Sequence, residues 1–232
     1  MSQREVWVPR ARLLALGLTT VLFVACGNIR TAPKMVDTDS SGLQPKIEDK
    51  DAVVVGIARD FDVGRYKAVI VDRFTVSSPG IDVEEDKPLA DIASGYLQGE
   101  FVRRLRESGL FETVVAPGDG PPITGTTLKL TGSIADIQGG SRHLRFWIGF
   151  AAGRSQVEIH TRLLDAETGK PVVVTAVRRL HALSEGSSPY GGSNEDLVKD
   201  ALRDSAEDYV RFLARLARGQ APQAARRSPA HS

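Results

Sequence analysis

Residues 157–178 read VEIHTRLLDAETGKPVVVTAVR. Apolar Val157, Ile159 and Leu163 alternate with polar neighbours, the two-residue period of a strand with one buried face. If Ala166–Lys170 forms a loop, the chain folds back so that Val157, Ile159 and Leu163 face Val173 and Val177. The same register sets Glu158 opposite Arg178, a favourable cross-strand pair, and sets His160 opposite Ala176 and His181 opposite Ser155. Gly169 supplies the positive-φ residue that such a loop requires. A long β-hairpin is the expectation.

Upstream, alternation continues through Leu128, Leu130 and Ile134, with Lys129, Thr131 and Ser133 on the opposite face. Val53–Ile57, Ala68–Val71 and Phe111–Val115 read as short strands. Between the last two, Pro88 opens a helix whose apolar stripe runs Leu89, Ile92, Ala93, Tyr96, Leu97, Phe101, Leu105, and Gly109 ends it. Strand, helix and strand at this spacing predict a right-handed parallel crossover. Downstream, Ser193–Asp196 resembles a capping box. A second stripe follows it: Val198, Ala201, Leu202, Ser205, Tyr209, Phe212, Leu213 and Leu216. The expected fold is α+β: a mixed sheet of about five to six strands, two amphipathic helices on one face, one βαβ crossover and the long hairpin. No internal repeat is evident.

The chain has 232 residues, 25% charged and 41% hydrophobic, too charged for a polytopic membrane protein and too apolar for wholesale disorder. Thirty Lys+Arg against 29 Asp+Glu leave +1, which offers no electrostatic footprint for nucleic acid. One cysteine excludes an intrachain disulfide and a Cys-rich metal site.

Arg4, Arg10 and Arg12 precede the charge-free run Leu13–Ala25. That is the layout of a secretory signal, and the run falls short of the roughly 20 apolar residues of a membrane span. It ends in Val24-Ala25-Cys26-Gly27, which resembles the lipobox of bacterial lipoproteins, with Phe23 where that pattern usually has Leu. The resemblance implies cleavage before Cys26, diacylation of its sulfur and usually acylation of the new N-terminus. An uncleaved signal anchor, or a plain signal peptide with an incidental cysteine, are the alternatives. Cleavage removes Arg4, Glu5, Arg10 and Arg12, a net +2, and leaves a mature charge of −1. Several tens of methylenes at ~0.8 kcal/mol each make such an anchor effectively permanent. Gly27 stands where an Asp would retain such proteins in the inner membrane. The implied location is therefore the outer membrane, with the domain facing the periplasm.

The division that follows is 1–25 signal peptide, 26–50 lipidated cysteine and flexible tether, 51–217 α+β domain, and 218–232 disordered tail. The tether, free of aromatics and carrying Pro33 and Pro45, would have a mean reach of about 27 Å.

Residues 140–171, GSRHLRFWIGFAAGRSQVEIHTRLLDAETGKP, resemble the signature of a family of bacterial lipoproteins, domain of unknown function 4410. The matching positions are Arg145, Gly149, Gly153, Arg154, Asp165, Thr168 and Gly169, and Ala151 stands where Gly is more usual. The resemblance implies no activity and no catalytic residues. The layout is more loosely similar to curli-secretion-type envelope lipoproteins and to the N-terminal domain of the Tol translocation protein, which act in envelope assemblies.

The sharpest local feature is Phe146–Gly153, with Trp147 as its second residue and Arg145 and Arg154 flanking it. It reads as a buried turn packed against a helix, or as a docking patch or lipid-touching wedge. The two arginines read as solvated edges or as a grip on phosphate or carboxylate. His143, His160, His181 and His231 do not converge into a ligand set, and no metal or other cofactor is expected. The acidic run Asp82–Asp86 and the loop 184–193 read as solvated connections. No nucleophile elbow, zinc-protease pair or phosphate loop occurs.

The expected function is therefore a non-catalytic lipoprotein, membrane-bound through Cys26. Its domain would bind an envelope protein or self-associate, as an accessory to assembly or export. The alternatives are a lipid- or glycan-binding module near Arg145, Trp147 and Arg154, and an oligomeric pore component. No nucleic-acid partner is expected.

Overall fold

The structure, a computed structural model, describes residues 29–33, 42–76, 87–119, 125–138, 155–181 and 194–224. Nine strands among the described residues form one mixed sheet: β1 (Ile29–Thr31), β2 (Ile47–Asp49), β3 (Val53–Ile57), β4 (Ala68–Val71), β5 (Thr75–Val76), β6 (Thr113–Val115), β7 (Thr127–Gln138), β8 (Ser155–Asp165) and β9 (Pro171–His181). Two helices, α1 (Lys87–Ser108) and α2 (Asn194–Ala217), complete the α+β fold. The sheet runs β2-β3-β9-β8-β7-β4-β6, with β1 on β9 and β5 on β7. The expectation of about five to six strands is corrected here. The uncounted β1, β2 and β5 are two or three residues long. Strands so short carry no alternation of their own, and long neighbours recruit them.

The hairpin holds the register its alternation predicts. Glu158 pairs with Arg178, Ile159 with Val177, His160 with Ala176 and Leu163 with Val173. Asp165 closes the turn. Its Oδ1 accepts the Thr168 N–H at 2.8 Å and the Thr168 hydroxyl at 2.8 Å, and Gly169 takes φ +68°. The crossover is also as expected: β4 leads through α1 to β6, and β4 runs parallel to both β6 and β7.

One core fills the space between the sheet and both helices. Ala93, Leu97, Phe101 and Leu105 of α1 are buried in four-residue steps, and Val198, Ala201, Leu202, Tyr209, Phe212 and Leu213 of α2 join them. Ile92, expected on the α1 stripe, is 42% exposed, because it lies beside that row rather than on it. Phe74 stacks on Phe101 at 5.3 Å and Phe101 meets Tyr209 edge-on at 5.5 Å, an aromatic ladder from sheet to α2. Gly132 of β7 makes this possible. A Cβ there would stand 2.1 Å from the His160 carbonyl oxygen and 2.7 Å from the Phe74 ring.

Composition predicts a flexible tether over 26–50, yet β1 and β2 lie within it. Ile29 pairs with Leu180, Ile47 pairs with Val55, and the Gln44 carbonyl crosses over Gly56. Near the other terminus, Gln223 exchanges backbone contacts with the β2–β3 turn. Its carbonyl accepts the Lys50 N–H at 2.6 Å, and its N–H donates to Asp49 Oδ2 at 3.0 Å.

Candidate functional site

The residues singled out from the sequence, Cys26, Arg145, Phe146, Trp147, Gly149, Gly153 and Arg154, lie outside the described residues. The described chain fixes where those segments begin and end. Cys26 stands three residues before Ile29, the first residue of β1. Residues 139–154 join the last residue of β7 to the first of β8. Ile29, Leu180, Gln156 and Gln138 form a single row across four strands. Three interstrand spacings of about 4.8 Å place the root of 139–154 about 14 Å from β1. Both segments thus leave from one end of the sheet.

Two residues inward, the next row on the same face is polar. Asp136, Glu158, Arg178 and Thr31 are neighbours across β7, β8, β9 and β1. These positions alternate with inward-facing Val157 and Ile159, so they face away from the helices. Gln156 donates to Asp136 Oδ2 at 2.5 Å and accepts from Arg178 Nη2 at 2.6 Å. His160 Nε2 lies 3.1 Å from Glu158 Oε1.

On the helical side the structure reveals a charge network that the sequence reading missed. Asp208 of α2 meets three arginines: Arg30 Nη1 of β1 at 2.9 Å and Arg179 Nη2 of β9 on Oδ2, and Arg211 Nη1 at 3.0 Å on Oδ1. Arg211 also reaches Asp51 at 3.4 Å. Arg215 grips Asp49 through Nη2 at 2.6 and 2.7 Å and Asp51 through Nε at 2.8 Å. Burial alone would raise the Asp49 carboxyl, but hydrogen bonds from Arg215 and from the Ala52, Gln223 and Asp51 N–H groups hold it below its ordinary value. Burial works against the charged Arg215, and the two carboxylates raise it nonetheless. The signal was present in the periodicity. Arg179 has the parity of buried Val173 and Val177, and Ala201, Ser205, Asp208, Phe212 and Arg215 share one α2 face at three- and four-residue steps.

A cleft of about 300 Å³ opens between β1 and α2, lined by Arg30, Arg179, Asp204, Glu207, Asp208 and Arg211. Acids and bases alternate around it and pair with one another, so the cleft is neutralised from within. Such a network holds β1, α2 and the β2–β3 turn together. Behind the Arg179–Asp208 pair lies a cavity of about 10 Å³ among Thr161, Thr175, Ser205 and Tyr209, far below the size of an organic ligand. Burial pushes the Tyr209 hydroxyl up. Among the described residues no group of His, Cys, Asp and Glu is arranged to hold a metal ion, and no helix is long and apolar enough to cross a membrane.

The signature residues Asp165, Thr168 and Gly169 build the β8–β9 turn. The Tyr66 hydroxyl donates to Asp165 Oδ2 at 2.9 Å and ties that turn to the chain before β4. The Thr168 N–H and hydroxyl hold the Asp165 carboxyl below its ordinary value, and burial combined with Asp165 raises the Tyr66 hydroxyl.

None of the curated proteins matches the chain. Among solved structures, the PelC dodecamer from Paraburkholderia phytofirmans is 12% identical, with a TM-score of 0.38 over 66% of this chain and 96% of that chain. A DUF330 protein from Xanthomonas campestris is 11% identical, with a TM-score of 0.39 over 75% of this chain and 95% of that chain. Residues 69–182, from β4 through β9, match the family model DUF4410, a domain of unknown function.

Proposed function

We propose that the protein is a non-catalytic lipoprotein of the bacterial outer membrane, held by acyl groups on Cys26, with its domain in the periplasm as an interaction module. The observation that carries this reading is the common exit of two segments from one sheet end, in the row Ile29, Leu180, Gln156, Gln138. Three residues of backbone keep the Cys26 Cα within about 10 Å of the Ile29 Cα. The apolar segment Phe146–Gly153 is rooted about 14 Å away along the same edge. Trp147 and the neighbouring phenylalanines suit the headgroup level of a bilayer, and Arg145 and Arg154 suit its phosphates. In this reading the sheet stands with that end on the membrane. The opposite end, with the signature turn at Asp165–Gly169, points into the periplasm, where a second copy or another envelope protein is met.

The test is Cys26→Ser with membrane fractionation, together with mass spectrometry of the mature N-terminus. The expected results are an unprocessed variant lost from the outer membrane, and a wild-type Cys26 carrying acyl chains. A bare thiol on the mature chain overturns the anchor. Chemical crosslinking in intact membranes is expected to give a discrete heavier species. A strictly monomeric protein without a recovered partner overturns the interaction role.

A further inference from the structure

We propose that the cavity behind the Arg179–Asp208 pair is a binding site for a single water molecule, which accepts from buried hydroxyls of the core and donates to the Asp208 carboxylate. Three hydroxyls meet there. Thr161 of β8 and Thr175 of β9 are direct cross-strand partners, and their Oγ1 atoms lie 2.5 Å apart. The hydroxyl of Tyr209, from α2, adjoins Thr161. All three residues are buried. Each hydroxyl brings one hydrogen. The Thr161–Thr175 bond uses one of the three, and the Tyr209 hydroxyl makes no hydrogen bond. Were Tyr209 to turn onto Thr161, an open chain of three hydroxyls would hold two bonds and still leave one hydrogen over. Ser205, the fourth hydroxyl of the lining, already accepts from Arg179 Nε at 3.2 Å and donates to the Ala201 carbonyl at 2.7 Å. The cluster is short of an acceptor, in surroundings where an unpaired polar hydrogen is costly.

Size and chemistry together select the ligand. The cavity's volume of about 10 Å³ meets the ~10–15 Å³ that one water requires and admits no organic molecule. A cation brings no acceptor for the spare hydrogens. An anion would accept them but would lie in the same small cavity as the Asp208 carboxylate. Water is neutral and does both. Its oxygen accepts from Tyr209 and from the threonine pair, and a hydrogen goes to Asp208. A carboxylate offers about four lone-pair sites. Asp208 spends three of them, on Arg30 and Arg179 at Oδ2 and on Arg211 at Oδ1, and keeps one for the water. The bound water thus joins the hydroxyls of the core to the ion network that fastens α2 to β9.

The experiment uses the full chain in detergent micelles, and its outcome is independent of whether Cys26 is acylated. A crystal structure of the wild type at atomic resolution is expected to show one ordered oxygen within hydrogen-bonding distance of both Tyr209 Oη and an Asp208 carboxylate oxygen. In solution, oxygen-17 relaxation dispersion counts long-lived waters. It is expected to fall by one water in the triple variant Tyr209→Phe, Thr161→Val, Thr175→Val, which keeps the shape of the site and removes every hydroxyl hydrogen that needs an acceptor. Ser133→Ala, on the outer face of the sheet, is expected to leave the dispersion unchanged. Equal dispersion in the wild type and the folded triple variant overturns the proposal. So does a wild-type crystal structure in which the cavity holds no ordered oxygen, or holds a halide identified by its anomalous scattering. If the triple variant does not fold, the wild-type crystal structure decides alone.

Discussion

Val53 holds φ +66°, a left-handed conformation that a β-branched residue rarely adopts. Its place explains the strain. The β2–β3 connection is a three-residue loop, Lys50–Ala52, and the residue after it opens a bulge in which Val53 and Val54 both face Ala176. Hairpins of this length usually place Gly there. Val53→Gly removes a backbone penalty of about 1–2 kcal/mol and loses a partly buried side chain. Its stability in urea should fall within about 1 kcal/mol of wild type. Val55→Gly, at a fully buried strand position, should cost about 3 kcal/mol. At Gly132 the neighbour is backbone. The His160 carbonyl cannot turn aside as a side-chain tip can, so Gly132→Ala should reach or exceed the upper end of the 1–3 kcal/mol typical of overpacking, about 3 kcal/mol by urea denaturation.

At the scale of elements, α2 is fastened to the sheet by charge as well as by its apolar stripe. Asp208 and Arg179 are both nearly buried. Asp208→Asn strands the Arg179 guanidinium with Asp204, 3.7 Å away, as its remaining carboxylate. The expected loss lies toward the low end of about 3–5 kcal/mol. Arg30→Ala, on the same carboxylate but from an exposed position, should cost less than about 1 kcal/mol. Asp49 carries a pH dependence. Its folded carboxyl titrates below the ordinary value of 3.8, so its contribution is whole above that pH and is lost as pH falls through the lower folded value. Arg215→Met removes the guanidinium that overcomes burial there. Circular dichroism during acid titration should then show unfolding begin at a higher pH than in wild type. An unchanged acid midpoint would contradict the assignment.

At the scale of the molecule, the family match covers the sheet's central block from β4 to β9, and the elements outside it dock onto that block. β1 and β3 share one edge of β9, and α2 closes the core. Removing Ile29–Thr31 takes out only exposed residues, so the thermal midpoint should move by only a few degrees, measured by calorimetry. Removing the end of α2 from Phe212 onward takes out Phe212, Leu213 and the Arg215 clamp and should abolish cooperative unfolding.

Periodicity alone determined the long hairpin with its register, the two helices and the parallel crossover. In those segments every second or every third to fourth residue must be apolar to reach one core, and that demand is written locally. The expected site residues Cys26, Arg145, Phe146, Trp147, Gly149, Gly153 and Arg154 were legible as chemistry, a thiol after small residues and an apolar stretch between arginines. That the two segments carrying them are rooted at one sheet end follows only from how β1, β9, β8 and β7 line up. The short strands, the strained Val53 and the ion network of Asp49, Asp51, Asp208 and four arginines belong to the tertiary structure. A three-residue strand has no period, and a buried ion declares its partner only when residues more than a hundred positions apart are brought within hydrogen-bonding distance.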